Sequence, residues 1–249
     1  QYTVPSIKNA GDTIAEGGKT LQQAVNDAED GGTITIEKNI QLQDPVTVPT
    51  GKTVVITSDA RQIILGDSSH EPKNLFVIGE GASLQFEGRV ELYGRYNTGS
   101  MILNKGKLTL DGTDVLLTGG VVSSNSGVID NRGEGANFVL NNGTIEKNKV
   151  NGANSGTIRV REGASFAMSG GTIQNNQVAA AAQEGYLSSP GVLPYGKSSF
   201  ELTGGEICSN TGVRGGGVLA QGTDTGKAYF EMTGGSIHDN VCSSDDPNC

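Results

Sequence analysis

The sequence predicts an all-β chain wound as a β-solenoid, with three short strands per coil and a short N-terminal capping α-helix. The first observation is a motif that recurs four times. It reads Phe138-x-Leu140-x-x-Gly143-x-Ile145-x-x-Asn148, then Phe166-x-Met168-x-Gly170-Gly171-x-Ile173-x-x-Asn176, with further copies opening at Phe200 and Phe230. A self-similar period of about 30 residues means one supersecondary unit stacked on copies of itself. Second, apolar and polar residues alternate within each copy, as a half-buried strand demands, and the following glycines punctuate the run as a bend. Third, a second set of apolar runs keeps phase with the motif: Met101-Ile102-Leu103, Val128-Ile129, Ile158-x-Val160, Val192-Leu193 and Val218-Leu219.

Coil-on-coil stacking at the inter-strand spacing turns each motif position into a column. Phe138, Phe166, Phe200 and Phe230 form an aromatic stack, with Leu140, Met168, Leu202 and Met232 beside it. The isoleucines 145, 173, 207 and 237 close the core, and Asn148, Asn176, Asn210 and Asn240 read as an amide ladder. Thr118-Gly119-Gly120-Val121-Val122-x-x-Asn125 reads as one more motif tail, displaced by an insertion. Thirty-eight glycines and no tryptophan suit a chain that turns often around a thin core.

At the N-terminus, Thr20 to Ala28 is the one helical stretch, with Thr20 and Gln23 at capping-box spacing and Leu21, Ala24, Val25 and Ala28 on one face. Such a helix covers the open end of a first coil. The domain reading follows: residues 1–30 form the N-terminal segment and capping helix, 31–241 the solenoid, and 242–249 a cysteine-containing tail.

The helix, the Gly-Gly-Thr-Ile-Thr-Ile after it and the Phe-x-Met-x-Gly-Gly-x-Ile-x-x-Asn coils resemble right-handed parallel β-helix proteins of the pectate-lyase-like superfold. They are most similar to the adhesive β-helix domains of large bacterial surface proteins. The resemblance covers about residues 18 to 240 and implies a non-catalytic, extracellular binding domain at a bacterial cell surface. Its implied partner is a polysaccharide or host-surface glycoprotein. One superfold hosts many functions, so a lyase or glycoside hydrolase and a bare structural stalk stand as alternatives.

The polygalacturonase-like enzymes of this fold carry Asn-Thr-Asp, Asp-Asp, Gly-His-Gly and Arg-Ile-Lys segments. None occurs within these coils, and Asp245-Asp246 sits in the tail. The carboxylates nearest to an enzymatic set are Asp111, Asp114, Asp130 and Glu134, with Arg132 beside them. Calcium is the cation suited to such oxygens, and no resident cofactor is otherwise expected. His70 and His238 read as surface histidines without the partners that general-base work or zinc binding needs.

Two surface features are the candidate contacts. The long loops present Tyr93, Arg95 and Tyr96, and Tyr186 within an insertion between Val178 and Pro190. The turns before the motif strands carry Lys105, Lys107, Arg132, Arg161, Lys197 and Lys227, a stripe of one cation per coil able to follow an acidic polysaccharide. A net charge of −9 argues against nucleic acid. No apolar run of membrane-spanning length exists, and the chain reads as a monomer. Gln1 opens no signal-peptide pattern, which fits a mature or excised fragment. Of the three cysteines, Cys242 and Cys249 bracket a small loop suited to a disulfide, while Cys208 with Cys242 is the other pairing; either suits an extracellular protein.

Overall fold

The structure, a computed structural model, describes residues 20–71, 73–95, 97, 99–123, 125–179, 187–213 and 215–242. It is a parallel β-solenoid of about six turns with one short helix. Four sheets build it, and the first two run through all the described coils. Sheet I stacks Gly32–Thr35, Thr53–Thr57, Ser83–Phe86, Lys107–Leu110, Asn137–Leu140, Ser165–Met168, Ser198–Leu202 and Ala228–Met232. Sheet II stacks Ile40–Leu42, Gln62–Gly66, Val90–Tyr93, Leu116–Thr118, Thr144–Glu146, Thr172–Gln174, Glu206–Cys208 and Ser236–His238. Sheet III is a set of two-residue strands, from Val121–Val122 to Val241–Cys242, and sheet IV runs from Val46–Val48 through Gly127–Arg132 and Ser155–Arg161 to Ser188–Tyr195. The three strands expected per coil are thus sheets I, II and IV. Sheet III adds a short fourth segment at the corner that follows each ladder position.

The columns form inside. Phe138, Phe166 and Phe200 stack with centroids 4.6 Å apart and planes 7° apart, and Phe230 continues the column at 5.1 Å. Leu140, Met168 and Leu202, with Ile145, Ile173 and Ile207, are fully buried around them. Burying each such side chain stabilises the fold by roughly 1.5–3 kcal/mol.

Asparagine spans the coils. Asn148 Nδ2 donates to Asn176 Oδ1 at 2.9 Å, Asn176 to Asn210 at 3.0 Å, and Asn210 to Asn240 at 2.9 Å. Each receiving oxygen also accepts the backbone N–H of the asparagine that donates to it. The remaining amide hydrogens go to the carbonyls of Leu117, Ile145, Ile173 and Ile207. The residue before each ladder position, Lys147, Asn175, Ser209 or Asp239, is left-handed, with φ between 52° and 55°. In the preceding coil Gly119 (φ 70°) and Gly120 take these two places, and Gly120 N–H donates to Asn148 Oδ1 at 2.8 Å. The motif tail at Thr118 is therefore not displaced, since Thr118 pairs with Glu146, and Asn125 falls in a turn instead. Glycine can occupy the slot because its backbone N–H still reaches the ladder.

The Gly-Gly pairs have two separate causes. Gly171, Gly205 and Gly235 hold φ of 73°, 84° and 72°. A Cβ on Gly170, Gly204 or Gly234 would lie 2.1–2.2 Å from a carbonyl oxygen of the coil below. One glycine makes the bend, and the other lets the backbones approach.

The helix Leu21–Asp27 has the expected capping box between Thr20 and Gln23, and it buries Leu21 and Val25. Gln22 adds a contact of its own: its side-chain amide donates to Thr47 O at 3.0 Å and accepts from Thr47 N at 2.6 Å. It satisfies the edge of the first sheet IV strand as a neighbouring strand would. At the other end the last coil leaves Phe230 and Met232 about two-fifths exposed. Among the described residues no helix is long and apolar enough to cross a membrane.

The ladder makes a quantitative expectation. Asn176→Ala removes four buried side-chain hydrogen bonds and strands Asn148 N–H and Ile145 C=O, so urea denaturation should show a loss of about 3 kcal/mol or more. Lys149→Ala on the exposed face should change stability by less than about 0.5 kcal/mol.

Candidate functional site

The sequence candidates separate onto different edges of the solenoid. Tyr93 ends a sheet II strand, half-buried, with its ring over Gly119 of the next coil, where a Cβ would meet Cε2 at 2.5 Å. It anchors the wall there, and Arg95 follows it exposed. Tyr96, Tyr186 and Cys249 lie outside the described residues. Arg132 and Arg161 come together as register partners at the end of sheet IV.

The cation stripe forms only in part, since Asn104 pairs with Asn131 and so sets Lys105 in line with Arg132 and Arg161. Turns of unequal length put Lys107 in register with Asn137 in sheet I, while Arg132 and Arg161 align in sheet IV. Nearby anions, from the same coil and from others, also engage several of the cations. Arg161 clasps Asp130 through Nε and Nη2, both at 3.0 Å, and also bonds Glu162. Arg132 reaches Asp130 at 4.0 Å, and Lys197 pairs with Glu134 at 2.8 Å.

The four carboxylates separate as well. Asp130 and Glu134 belong to sheet IV and the turn after it, whereas Asp111 and Asp114 lie in the turn between sheets I and II. There they border an open groove of about 430 Å³ with Asp59, Arg89 and Asn142. Arg89 pairs with Asp114 at 3.1 Å, and Asn142 donates to Asp111 at 3.0 Å.

What sheet IV assembles instead is a guanidinium cluster. Arg159 and Arg161 alternate along Ser155–Arg161, so both point to the outer face. Arg159 is in register with Asp130 on one side and Leu193 on the other, and Arg161 with Tyr195. Arg159 is 4% exposed, and its Nε and Nη1 are buried without a hydrogen-bond partner. Its guanidinium carbon lies 5.2 Å from the Tyr195 ring centroid, a cation–π contact.

The two arginines respond oppositely. Burial, followed by repulsion from Arg161, lowers the Arg159 pKa against the pull of Asp130. Burial also works against charged Arg161, but the hydrogen-bonded Asp130 carboxylate outweighs it and raises the pKa. Asp130 has thus spent its two oxygens on Arg161, and Arg159 keeps a charge that lacks a matching anion. Sequence reading found Arg161 and missed Arg159 and Tyr195. The Arg-x-Arg spacing in a strand was the available signal for Arg159, while Tyr195 required the register across the coil that contains the 180–186 segment.

A second cluster overturns the reading of His238 as a histidine without metal-binding partners. Its ring, Cys208 Sγ and a Glu206 carboxylate oxygen all lie within 4.8 Å of one another on sheet II. Burial first, and then Glu206, pushes the Cys208 thiol up. Cys208 is a free buried thiol and Cys242 is disulfide-bonded, so the Cys208–Cys242 pairing does not form. Cys208 is in register with His238 in sheet II, but Cys242 with Gly212 in sheet III, which places the two sulfurs on different sheets.

No family model, curated protein or solved structure gives a significant match to this chain.

The unsatisfied arginine leads to a stability expectation. Arg159→Met removes a buried charge without stranding a partner, so thermal or urea denaturation should show unchanged stability or a gain of about 1 kcal/mol. Arg161→Met should instead lose about 3 kcal/mol, because buried Asp130 gives up both of its arginine hydrogen bonds and keeps only the longer contact to Arg132.

Proposed function

We propose that this chain is a non-catalytic binding domain of an extracellular bacterial surface protein, an adhesin module that recognises an acidic carbohydrate, free or on a glycoprotein. The observation that carries the proposal is Arg159, a buried guanidinium with two unpartnered nitrogens beside an aromatic ring, on a face that already holds Arg132 and Arg161. The carboxylate of a uronic or sialic acid, or a sulfate ester, supplies the missing anion in a planar geometry that guanidinium groups favour. Tyr195 offers a ring edge for the sugar. The disulfide at Cys242 fits an oxidising extracellular setting. A rigid, flat sheet suits recognition, since little has to be ordered on binding.

The groove with Asp59, Asp111 and Asp114 beside Arg89 favours a second reading, a polysaccharide lyase or hydrolase. The bare stalk requires neither feature.

A glycan array carrying acidic plant and mucin-type polysaccharides, with product analysis of every hit, separates the readings. Binding without new chain ends, weakened about tenfold or more by Arg159→Met and by Tyr195→Ala, is the expected result. Cleavage that disappears in Asp114→Asn would establish the enzyme. Binding untouched by Arg159→Met would remove the sheet IV site, and silence across the array would leave the stalk.

A further inference from the structure

Two outward columns of sheet II change character at its last two strands. One column runs Thr118, Glu146, Gln174, Cys208, His238, and the next runs Leu116, Thr144, Thr172, Glu206, Ser236. In the coils before Glu206 these columns carry one carboxylate, Glu146, among threonine, glutamine and leucine, with no thiol or imidazole beside it. In the last two coils they change together to a carboxylate, a thiol and an imidazole. Glu206 and Cys208 point to the same side of their strand, and parallel pairing sets His238 directly on Cys208. The ladder fixes the backbone on the adjoining corner, with Ser209 and Asp239 both left-handed and Asn210 bonded to Asn240.

We infer that Glu206, Cys208 and His238 bind a zinc-class divalent transition-metal ion, which staples the last coil to the one before it. The three donor atoms are mutually within 4.8 Å, a spread that rotation of the exposed Glu206 and His238 side chains closes to tetrahedral coordination. A thiolate with an imidazole selects zinc or its neighbours over calcium or magnesium, which take oxygen ligands. A second observation points the same way. His238 Nδ1 is held 2.9 Å from Asp239 Oδ2, the outer-shell carboxylate that orients a ligating imidazole and leaves Nε2 for the metal. The place of Asp239 is taken by Lys147, Asn175 and Ser209 in the three preceding coils, so only this coil puts a carboxylate there.

Three protein ligands leave a fourth position open to solvent, where water or a donor from a partner completes the shell. Binding deprotonates Cys208, and the thiol proton goes to bulk water. The staple also has a reason to sit where it does. Among the described residues the final coil pairs with a neighbour on one side and exposes Phe230, Met232 and Val241, so fewer contacts hold it than hold the coils within the stack. A ligand that binds the docked coil and not the frayed one holds it in place by mass action.

The test is calorimetric titration of the whole chain, disulfide intact, with zinc alone, alongside titration with cobalt(II) followed by absorbance. One zinc per chain is expected, with a thiolate-to-cobalt charge-transfer band in the cobalt form. His238→Gln and Cys208→Ser should each weaken zinc about 100-fold or more, and Asp239→Asn about tenfold. His70→Gln should leave it unchanged. His238 is exposed, so its variant tests the site without endangering the fold. Absence of zinc binding, binding that survives His238→Gln, or a cobalt adduct without the thiolate band overturns the inference.

Discussion

One interaction sets the frame for everything else: a buried asparagine whose amide is shared with the copies of itself above and below. The oxygen of Asn176 serves the backbone and side chain of Asn148, while its nitrogen reaches Asn210 and the Ile145 carbonyl. Shifting one coil by a residue would break this chain of bonds at every level and leave polar groups buried without partners. Register is therefore fixed by polar chemistry. The phenylalanine and isoleucine columns add attraction but tolerate sliding far better, since apolar contact is not directional. The left-handed residue before each asparagine shows that backbone strain is accepted to keep this geometry.

A fixed register also decides where function can reside. Inward positions are committed to stacking like on like, so chemistry must come from outward positions that depart from the repeat. Both clusters arise this way, Arg159 and Arg161 on sheet IV and Glu206, Cys208 and His238 on sheet II. Each joins side chains about one coil apart in sequence at a spacing set by the sheet. Elsewhere the outer charges are spent between coils, as in Arg61 with Glu91 and Arg89 with Asp114. Arg159 stands apart because Asp130 is already taken, and burial makes that mismatch costly enough to call for a reason.

The inward columns could be read from the sequence because they recur with the same residue types: phenylalanine, leucine or methionine, isoleucine, asparagine. The capping helix was legible from Thr20, Gln23 and its apolar face. Outward neighbours were not, because the turns vary. Two residues separate Asn104 from Lys107, but five separate their register partners Asn131 and Asn137. A stripe drawn by counting back from each motif strand therefore merges columns that the structure keeps apart. The same variation hid Tyr195 beneath Arg161. The Cys208 and His238 pair was within reach, since both follow their repeat isoleucine by one residue, but Cys208 reads as a disulfide candidate and His238 as a surface histidine, which kept the two apart. Gly120 shows the opposite failure, where a departure from the motif keeps the function of the position through its backbone N–H.

Native-state hydrogen exchange, resolved by residue, tests the central claim most directly. If the asparagine ladder holds the register, the backbone amides of Gly120, Asn148 and Asn176 should be among the slowest in the chain and exchange together, through global unfolding alone. The turn amides around Asp111 and Asp114 should exchange by local opening and far sooner. Ladder amides exchanging as fast as those turns, or each coil exchanging independently of its neighbours, would contradict it.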